Sequence, residues 1–197
     1  MNTASPGAPL KPRQALRKRL LEQRGSFVAG SSAAEAGAAL ARHLTGVLLE
    51  LEPELVGAYW PYRSEFNAVT VLKAHSTLAK LPMALPFAQR ATVDAPLRMH
   101  YRAWDGRSNH VIDEVGIMSG DGAVVVPDVA IVPCVGFTRG GFRLGYGAGF
   151  FDRYLAQHPQ VTTIGVAWAF SQLEDELLEP QPHDVPMTLI VTEHGVV

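Results

Sequence analysis

The sequence predicts an α/β fold: a three-layer α/β/α sandwich around a largely parallel, Rossmann-like sheet. Three observations predict it. Short apolar runs recur at residues 56–60, 82–87, 129–135, 161–169 and 188–192, and uninterrupted runs of this length between prolines and polar turns mark strands covered on both faces. Helical periodicity fills the intervals between several of them, the alternation expected of a parallel sheet wrapped by helices. Finally, the run 129–135 leads into a crowd of glycines and then into a segment able to start a helix. That layout places a ligand loop beyond the carboxyl end of a strand.

Taken in order, Met1–Lys11 reads as a short flexible tail, and residues 12–197 read as one domain. Pro12 suits a first helical turn. Leu16, Leu20 and Leu21 then fall at helical spacing among Arg13, Arg17, Lys18, Arg19 and Arg24. A second helix is expected from Ser32, which has capping-box spacing to Glu35; Leu40, Leu44, Val47, Leu48 and Leu51 form its apolar stripe, and Pro53 stops it. A strand at 56–60 ends at Pro61. Asn67 is positioned to cap a helix carrying Val69, Leu72 and Leu78. After the strand at 82–87, residues 98–104 alternate, with Met99, Tyr101 and Ala103 opposite Arg98, His100 and Arg102, as in a half-exposed strand. Residues 105–128, rich in Gly and Asp, read mostly as loop.

Bulk properties narrow the function. A formal net charge of −2 gives no global attraction to nucleic acid or anionic membrane. The single cysteine, Cys134, excludes an intramolecular disulfide and a cysteine metal cluster; it reads as a small buried strand residue in a reducing, cytoplasmic setting. No apolar run approaches the roughly 20 residues of a membrane helix, and the N-terminus lacks the apolar core of a signal peptide.

The glycines Gly140, Gly141, Gly145, Gly147 and Gly149, followed by Phe150, Phe151 and Asp152, carry the chemistry. Glycine lets backbone N–H groups approach an anion closely, and a helix N-terminus adds partial positive charge. There is no G-x-x-x-x-G-K-[ST], so this is not a P-loop. The two-residue spacing of Gly145, Gly147 and Gly149 also fails the dinucleotide G-x-G-x-x-G pattern. Arg143 and Asp152 flank the loop with the cation and carboxylate that a phosphate and its magnesium would use. The competing reading of the glycines alone is a tolerant surface loop.

The segment FRLGYGAGFFDRYL resembles the signature of 5-formyltetrahydrofolate cyclo-ligases, also called methenyltetrahydrofolate synthetases. VVPDVAIVPCVGFTRGG, RQALRKRL, YWPYRSEFN, TIGVAWAFSQ and HDVPMTLIVTE match that family in kind and order, so the resemblance runs from about Arg13 to Glu193. It implies ATP-dependent conversion of 5-formyltetrahydrofolate to 5,10-methenyltetrahydrofolate, with ATP as co-substrate, magnesium as metal, and the folate with its polyglutamates as partner. Nucleic acid, membrane and an obligatory protein partner are not implied.

Residue by residue, the resemblance implies that Arg13 and Arg17, four apart on one helix face, contact ATP phosphates. Arg143, Leu144, Gly145, Tyr146, Gly147, Ala148, Gly149, Phe150 and Phe151 wrap the triphosphate. Arg143 is the catalytic candidate, stabilising charge on the transferring phosphoryl group. Trp60, Glu65 and Tyr146 line the folate site. Asp152 and Asp184 hold magnesium. Family members often carry tyrosine where this chain has Phe150 or Phe151, so any hydroxyl role there is absent or moved.

On the residues alone each has a plainer reading. Arg13 and Arg17 fit a solvated basic helix or a nucleic-acid patch, and Trp60 and Glu65 fit a core tryptophan and a surface carboxylate. Arg143 fits a surface ion pair, Asp152 a carboxylate on a helix dipole, and Asp184 a turn before Pro186. His183 has no second histidine at ligand spacing and reads as non-metal. Two other function classes compete with the synthetase. A non-catalytic ligand- or RNA-binding module of the same fold would be free to lose the set Arg143, Gly145, Gly147, Gly149, Asp152 and Asp184. A sugar-phosphate isomerase would need an acid/base pair that the sequence does not display.

Overall fold

A computed structural model describes residues 12–107 and 111–197; the tail 1–11 lies outside the described residues. The first helix, α1 (Pro12–Val28), leads into α2 (Ala33–Leu51) and the short strand β1 (Val56–Gly57). Next come α3 (Ala68–Ala74), β2 (Met83–Gln89) and β3 (Arg98–Trp104). Short strands β4 (Val111–Ile112), β5 (Met118–Ser119) and β6 (Val124–Val125) precede β7 (Val129–Pro133), β8 (Gly136–Thr138) and β9 (Arg143–Leu144). The chain closes with α4 (Phe150–Gln157), β10 (Thr162–Val166), β11 (Gln172–Leu173), β12 (Leu189–Thr192) and β13 (Gly195–Val196).

Eight strands form the central sheet in the order β13-β12-β10-β7-β1-β2-β3-β6. The inner run from β12 to β2 is parallel. Antiparallel strands close both edges, β13 at one and β3 with β6 at the other. The mostly parallel sheet expected from the buried runs is therefore present, and the alternating segment 98–104 is an antiparallel strand near the edge.

Alternation along the strands sorts the two faces. Val56, Val129, Ile131, Ile164 and Val191 point to one side, where they meet Leu40, Leu44 and Leu48 of α2 and Val69 and Leu72 of α3. Ala84, Ala130, Val132 and Ile190 point to the other, against Tyr154 and Leu155 of α4. Each fully buried leucine contributes about 2 kcal/mol of transfer free energy, so α2 is held mainly by its leucine stripe. Asn67 caps α3 as expected, accepting from the Thr70 N–H at 3.1 Å.

Several local expectations differ from what forms. Ser32 stands at the N-cap of α2 with helical backbone angles (φ −80°, ψ −10°) and no side-chain bond. A capping serine needs an extended backbone, and the tight turn from α1 prevents it: the Ala33 N–H bonds back to the Gly30 carbonyl. Leu78 leaves α3 for a separate 3-10 turn, Leu78–Lys80. Residues 105–128, expected mostly as loop, carry β4, β5 and β6. A second sheet, β11-β8-β9, was not anticipated. Its glycine Gly136 leaves room for Leu20 of α1, whose Cδ1 lies 2.7 Å from where a Cβ would stand. The apolar face of α1 is thereby docked on this small sheet, with Val135, Leu144, Leu173 and Leu178 around Leu20.

Candidate active site

Strand order fixes where a ligand fits. β1 lies between β2 and β7. The chain leaves β1 toward α3 on one face, and leaves β7 toward α4 on the other. Connections that diverge from neighbouring parallel strands open a crevice at their carboxyl ends. A cavity of about 540 Å³ occupies that position, a size typical of a small-molecule site. Tyr59 and Trp60 after β1, Ala88 near the end of β2 and Pro133 at the end of β7 form its floor. Every residue to which the resemblance gives a role lines it: Arg13, Arg17, Trp60, Glu65, the run Arg143–Asp152, and Asp184; Gly140 and Gly141 do not.

The glycine loop leaves β9 and ends on α4. Gly147 has φ +98° and Gly149, at the α4 N-cap, φ +64°, backbone conformations that favour glycine. At Gly147 a second constraint applies. A Cβ there would stand 3.2 Å from the Arg17 guanidinium, whose Nε donates to the Gly145 carbonyl at 2.6 Å. Helix α1 thus packs its cation directly on the loop. Burial, and then neighbouring Arg13, lower the Arg17 pKa from its ordinary value. Gly145 itself has open space around the position of a Cβ, as expected where backbone must remain approachable.

Both candidate magnesium carboxylates are held by candidate phosphate-binding arginines. Arg143 Nη1 lies 3.0 Å from Asp152 Oδ1, with both side chains largely removed from solvent. Arg143 also donates to the Val185 carbonyl at 3.4 Å, and the Val185 N–H reaches Asp152 at 3.4 Å. Arg13 Nη2 lies 2.7 Å from Asp184 Oδ2 and donates to the Glu179 carbonyl at 2.5 Å. Burial raises the Asp184 pKa, but Arg13 and the Gln181 N–H outweigh it, leaving the carboxyl below its ordinary range. Arg143 is buried in its pair, not held in the surface ion pair of the plainer reading, and Arg13 is partly exposed. Among the described residues no group of three or more His, Cys, Asp or Glu side chains is placed to hold a metal. Two carboxylates facing one arginine- and glycine-lined cavity do suit magnesium, which takes one or two carboxylates with phosphate oxygens and water.

Across the cavity the chemistry changes. Trp60 stands edge-on to Trp104, with centroids 6.0 Å apart, leaving part of its surface toward the cavity. Glu65 is held by the Tyr62 N–H, which donates to Oε2 at 2.7 Å. The Tyr59 hydroxyl fixes the same segment by donating to the Phe66 carbonyl at 2.6 Å. Burial raises the Glu65 pKa, opposed by that N–H, Arg24 and Tyr146. Tyr146 crosses from the glycine loop to this side and stacks edge-on to Tyr62, centroids 5.6 Å apart. Burial, then the Glu65 charge, push its hydroxyl up to about 12. Phe150 and Phe151 line the cavity, with the Arg153 and Arg143 guanidiniums over their rings at 5.5 and 5.7 Å. Cys134 is buried just past β7, its thiol pushed up to about 12 by burial, and takes no part in the lining.

Two contributors escaped the sequence reading. Asp113 accepts from the Ala88, Val115 and Ile117 N–H groups at 3.1, 3.0 and 2.8 Å. It thereby folds Val115 and Ile117 onto the cavity wall beside Met99. The D-x-x-G pattern of Asp113–Gly116 is an Asx-turn signal that could have flagged it. Arg24 is only 4% exposed and donates to the Tyr146 hydroxyl and to Ser64 Oγ. Its spacing of seven from Arg17 puts both on one face of α1, a cue lost among the helix's other cations.

An α/β sheet whose switch-point crevice joins an arginine- and glycine-lined half to an aromatic, carboxylate-bearing wall has the layout of an enzyme site for small molecules. The family model for the 5-formyltetrahydrofolate cyclo-ligase family matches residues 10–193, and the chain belongs to that family. It is 32% identical over 194 residues to 5-formyltetrahydrofolate cyclo-ligase of Mycolicibacterium smegmatis, covering 92% of this chain and 94% of that protein. A 67-residue stretch is 42% identical to the cyclo-ligase of Mycoplasma pneumoniae, covering 34% of this chain and 39% of that one. The fold is similar to that of Aquifex aeolicus 5,10-methenyltetrahydrofolate synthetase, with a TM-score of 0.73, 24% identity, and 94% and 92% of the two chains covered.

Proposed function

We propose that this enzyme converts 5-formyltetrahydrofolate and ATP to 5,10-methenyltetrahydrofolate, ADP and phosphate, as one domain over residues 12–197 in the cytoplasm. The observation that carries the reading is a single cavity with a cationic, glycine-lined half and an aromatic half bearing the Glu65 carboxylate. The family membership supports the substrate.

Chemically, a formamide carbonyl is a poor electrophile. Its oxygen attacks the γ-phosphorus of ATP, the bond to ADP breaks, and the formyl carbon becomes activated. The 10-nitrogen then attacks that carbon, phosphate departs with the oxygen, and the nitrogen's proton is released. The protein's task is alignment and charge neutralisation in a site shielded from water. Loop amides at Gly145, Gly147 and Gly149 and the Arg13 and Arg17 guanidiniums bind the triphosphate, with Leu144, Ala148, Phe150 and Phe151 lining it. Arg143 meets the transferring phosphoryl group. Trp60 packs on a flat ring of the folate, while Glu65 and Tyr146 bind its polar edge. Asp152 and Asp184 would hold magnesium, which neutralises phosphate charge when bound. Polyglutamate forms of the folate belong to the same substrate class.

The test mixes purified protein with 5-formyltetrahydrofolate, magnesium and ATP and follows the methenyl product by absorbance. Product dependent on both ATP and magnesium is expected. Its absence at any ATP concentration sinks the reading.

A further inference from the structure

The most unusual residue of α1 is Arg24. Most of the helix faces solvent, and only Leu20 and Arg24 are buried in it. A buried cation is costly unless hydrogen-bonded and paired. Arg24 meets both conditions at one place. Its Nη2 donates to the Tyr146 hydroxyl and its Nε to Ser64 Oγ at 3.2 Å. Its guanidinium also lies 5.7 Å from the Tyr146 ring centroid. Glu65, next to Ser64, feels its charge. Arg24 does not line the main cavity; it borders a small void behind the wall, shared with Glu65, Tyr59, Pro133 and Cys134.

We propose that Arg24 is a positioning residue for the folate half of the cavity. It ties the glycine loop to the segment after β1 by bridging Tyr146 and Ser64, and it is the buried counter-charge of Glu65. The inference rests on the reading that Glu65 and Tyr146 meet the folate. A planar fork is what the geometry uses: two donors aimed at two different segments, from a cation that stays charged when buried. The groups facing Glu65 come from each surrounding element: Arg24 of α1, Tyr146 of the glycine loop, Tyr59 after β1, Cys134 after β7, and the Tyr62 N–H. Arg24 is the sole cation among them. Removing it leaves burial opposed only by the Tyr62 N–H and the Tyr146 hydroxyl.

The experiment compares wild type, Arg24→Met, Arg24→Lys, Glu65→Gln and the Arg24→Met/Glu65→Gln double variant. The Glu65 carboxyl is titrated by carbon NMR without ligand, and binding of 5-formyltetrahydrofolate and of ATP is measured separately by calorimetry. In Arg24→Met the Glu65 titration moves up by roughly 1–3 pH units. Folate affinity at neutral pH falls by about tenfold, and ATP affinity is retained. In the Glu65→Gln background the same Arg24 substitution has a much smaller effect, because the two act as a unit. Arg24→Lys keeps the charge but loses the fork, so the Glu65 titration stays near wild type while folate affinity still falls. An unmoved Glu65 titration in Arg24→Met, or a loss that is fully additive with Glu65→Gln, overturns the proposal. If Arg24→Met does not fold, Arg24→Lys decides: wild-type folate affinity there overturns it, and selective folate loss supports it. Wild-type folate affinity in Glu65→Gln would sink the folate reading of Glu65, and the NMR titration would still report whether Arg24 sets its charge.

Discussion

The two halves of the cavity are stabilised in opposite ways. On the glycine-loop side, two arginines are answered by carboxylates within the site, Arg143 by Asp152 and Arg13 by Asp184, while Arg17 donates to the Gly145 carbonyl. On the side after β1, Glu65 sits among aromatic and apolar groups, and Arg24 approaches from behind the wall, where it donates to the Tyr146 hydroxyl. The difference follows from what each half would meet. A polyanion with a divalent ion brings its own charge of both signs, so pre-paired arginines and aspartates can exchange partners without exposing a bare charge. A largely neutral, flat ring system brings apolar surface and hydrogen-bond donors, so that half needs shape and one acceptor. Arg13 and Arg143 can therefore be assigned to phosphate only with their carboxylate partners taken into account.

The largest effect should come from breaking the buried pair. Arg143→Met is expected to lower kcat by roughly 10²–10³-fold and, by leaving Asp152 buried without its cation, to destabilise the fold by about 3–5 kcal/mol. Turnover and urea denaturation measured on the same preparation separate the two consequences; full activity would remove Arg143 from the phosphoryl site. Asp152→Ala should also nearly abolish magnesium-dependent turnover, and retained turnover with unchanged magnesium dependence would strike it from the metal set.

Next in size is Gly147→Val. The added branch must occupy a positive φ and displace the Arg17 guanidinium, so ATP binding by calorimetry should fall below detection while circular dichroism stays native. Normal ATP affinity in that variant refutes the cradle. Trp60→Ala probes the opposite half. Folate affinity should drop by roughly tenfold with ATP binding unchanged, and equal losses of both ligands would show that the two halves are not separable. The smallest effect belongs to Arg13→Ala. Its pair with Asp184 is partly exposed, so stability should change by less than about 1 kcal/mol, while the KM for ATP rises several-fold. A large fall in Tm would mean that Arg13 chiefly clamps residues 179–184 to α1.

Much of the site was legible because its chemistry is local in sequence. The run from Arg143 to Asp152 holds its glycines, arginine and carboxylate within ten residues, and spacing alone separated it from a P-loop and a dinucleotide fingerprint. Helical spacing put Arg13 and Arg17 on one face, and only the family resemblance pointed that face at the site. Arg24 and Asp113 were not, because their role depends on partners remote in sequence, Tyr146 at a separation of 122 and Ala88 at 25. A solvated arginine and a buried one look identical in a basic helix. The Ser32 capping box failed for a related reason: the spacing was right, but the turn from α1 set the backbone angles.

What the sequence determined by itself was the alternation of buried runs and helices, and with it a mostly parallel sheet and a glycine loop after a central strand. Such features depend on periodicity and on the conformational range of single residues, which each segment carries alone. Only the tertiary structure decided that β1 and β7 lie side by side and send their connections to opposite faces. It also decided that α1 docks through Leu20 onto the small sheet beside Gly136. Strand order and helix docking are settled by long-range packing of apolar faces that many arrangements could bury locally. That packing brings Arg13, Arg17 and Arg24 from the start of the chain to the glycine loop, and turns a phosphate signature into a cavity with two chemically distinct halves.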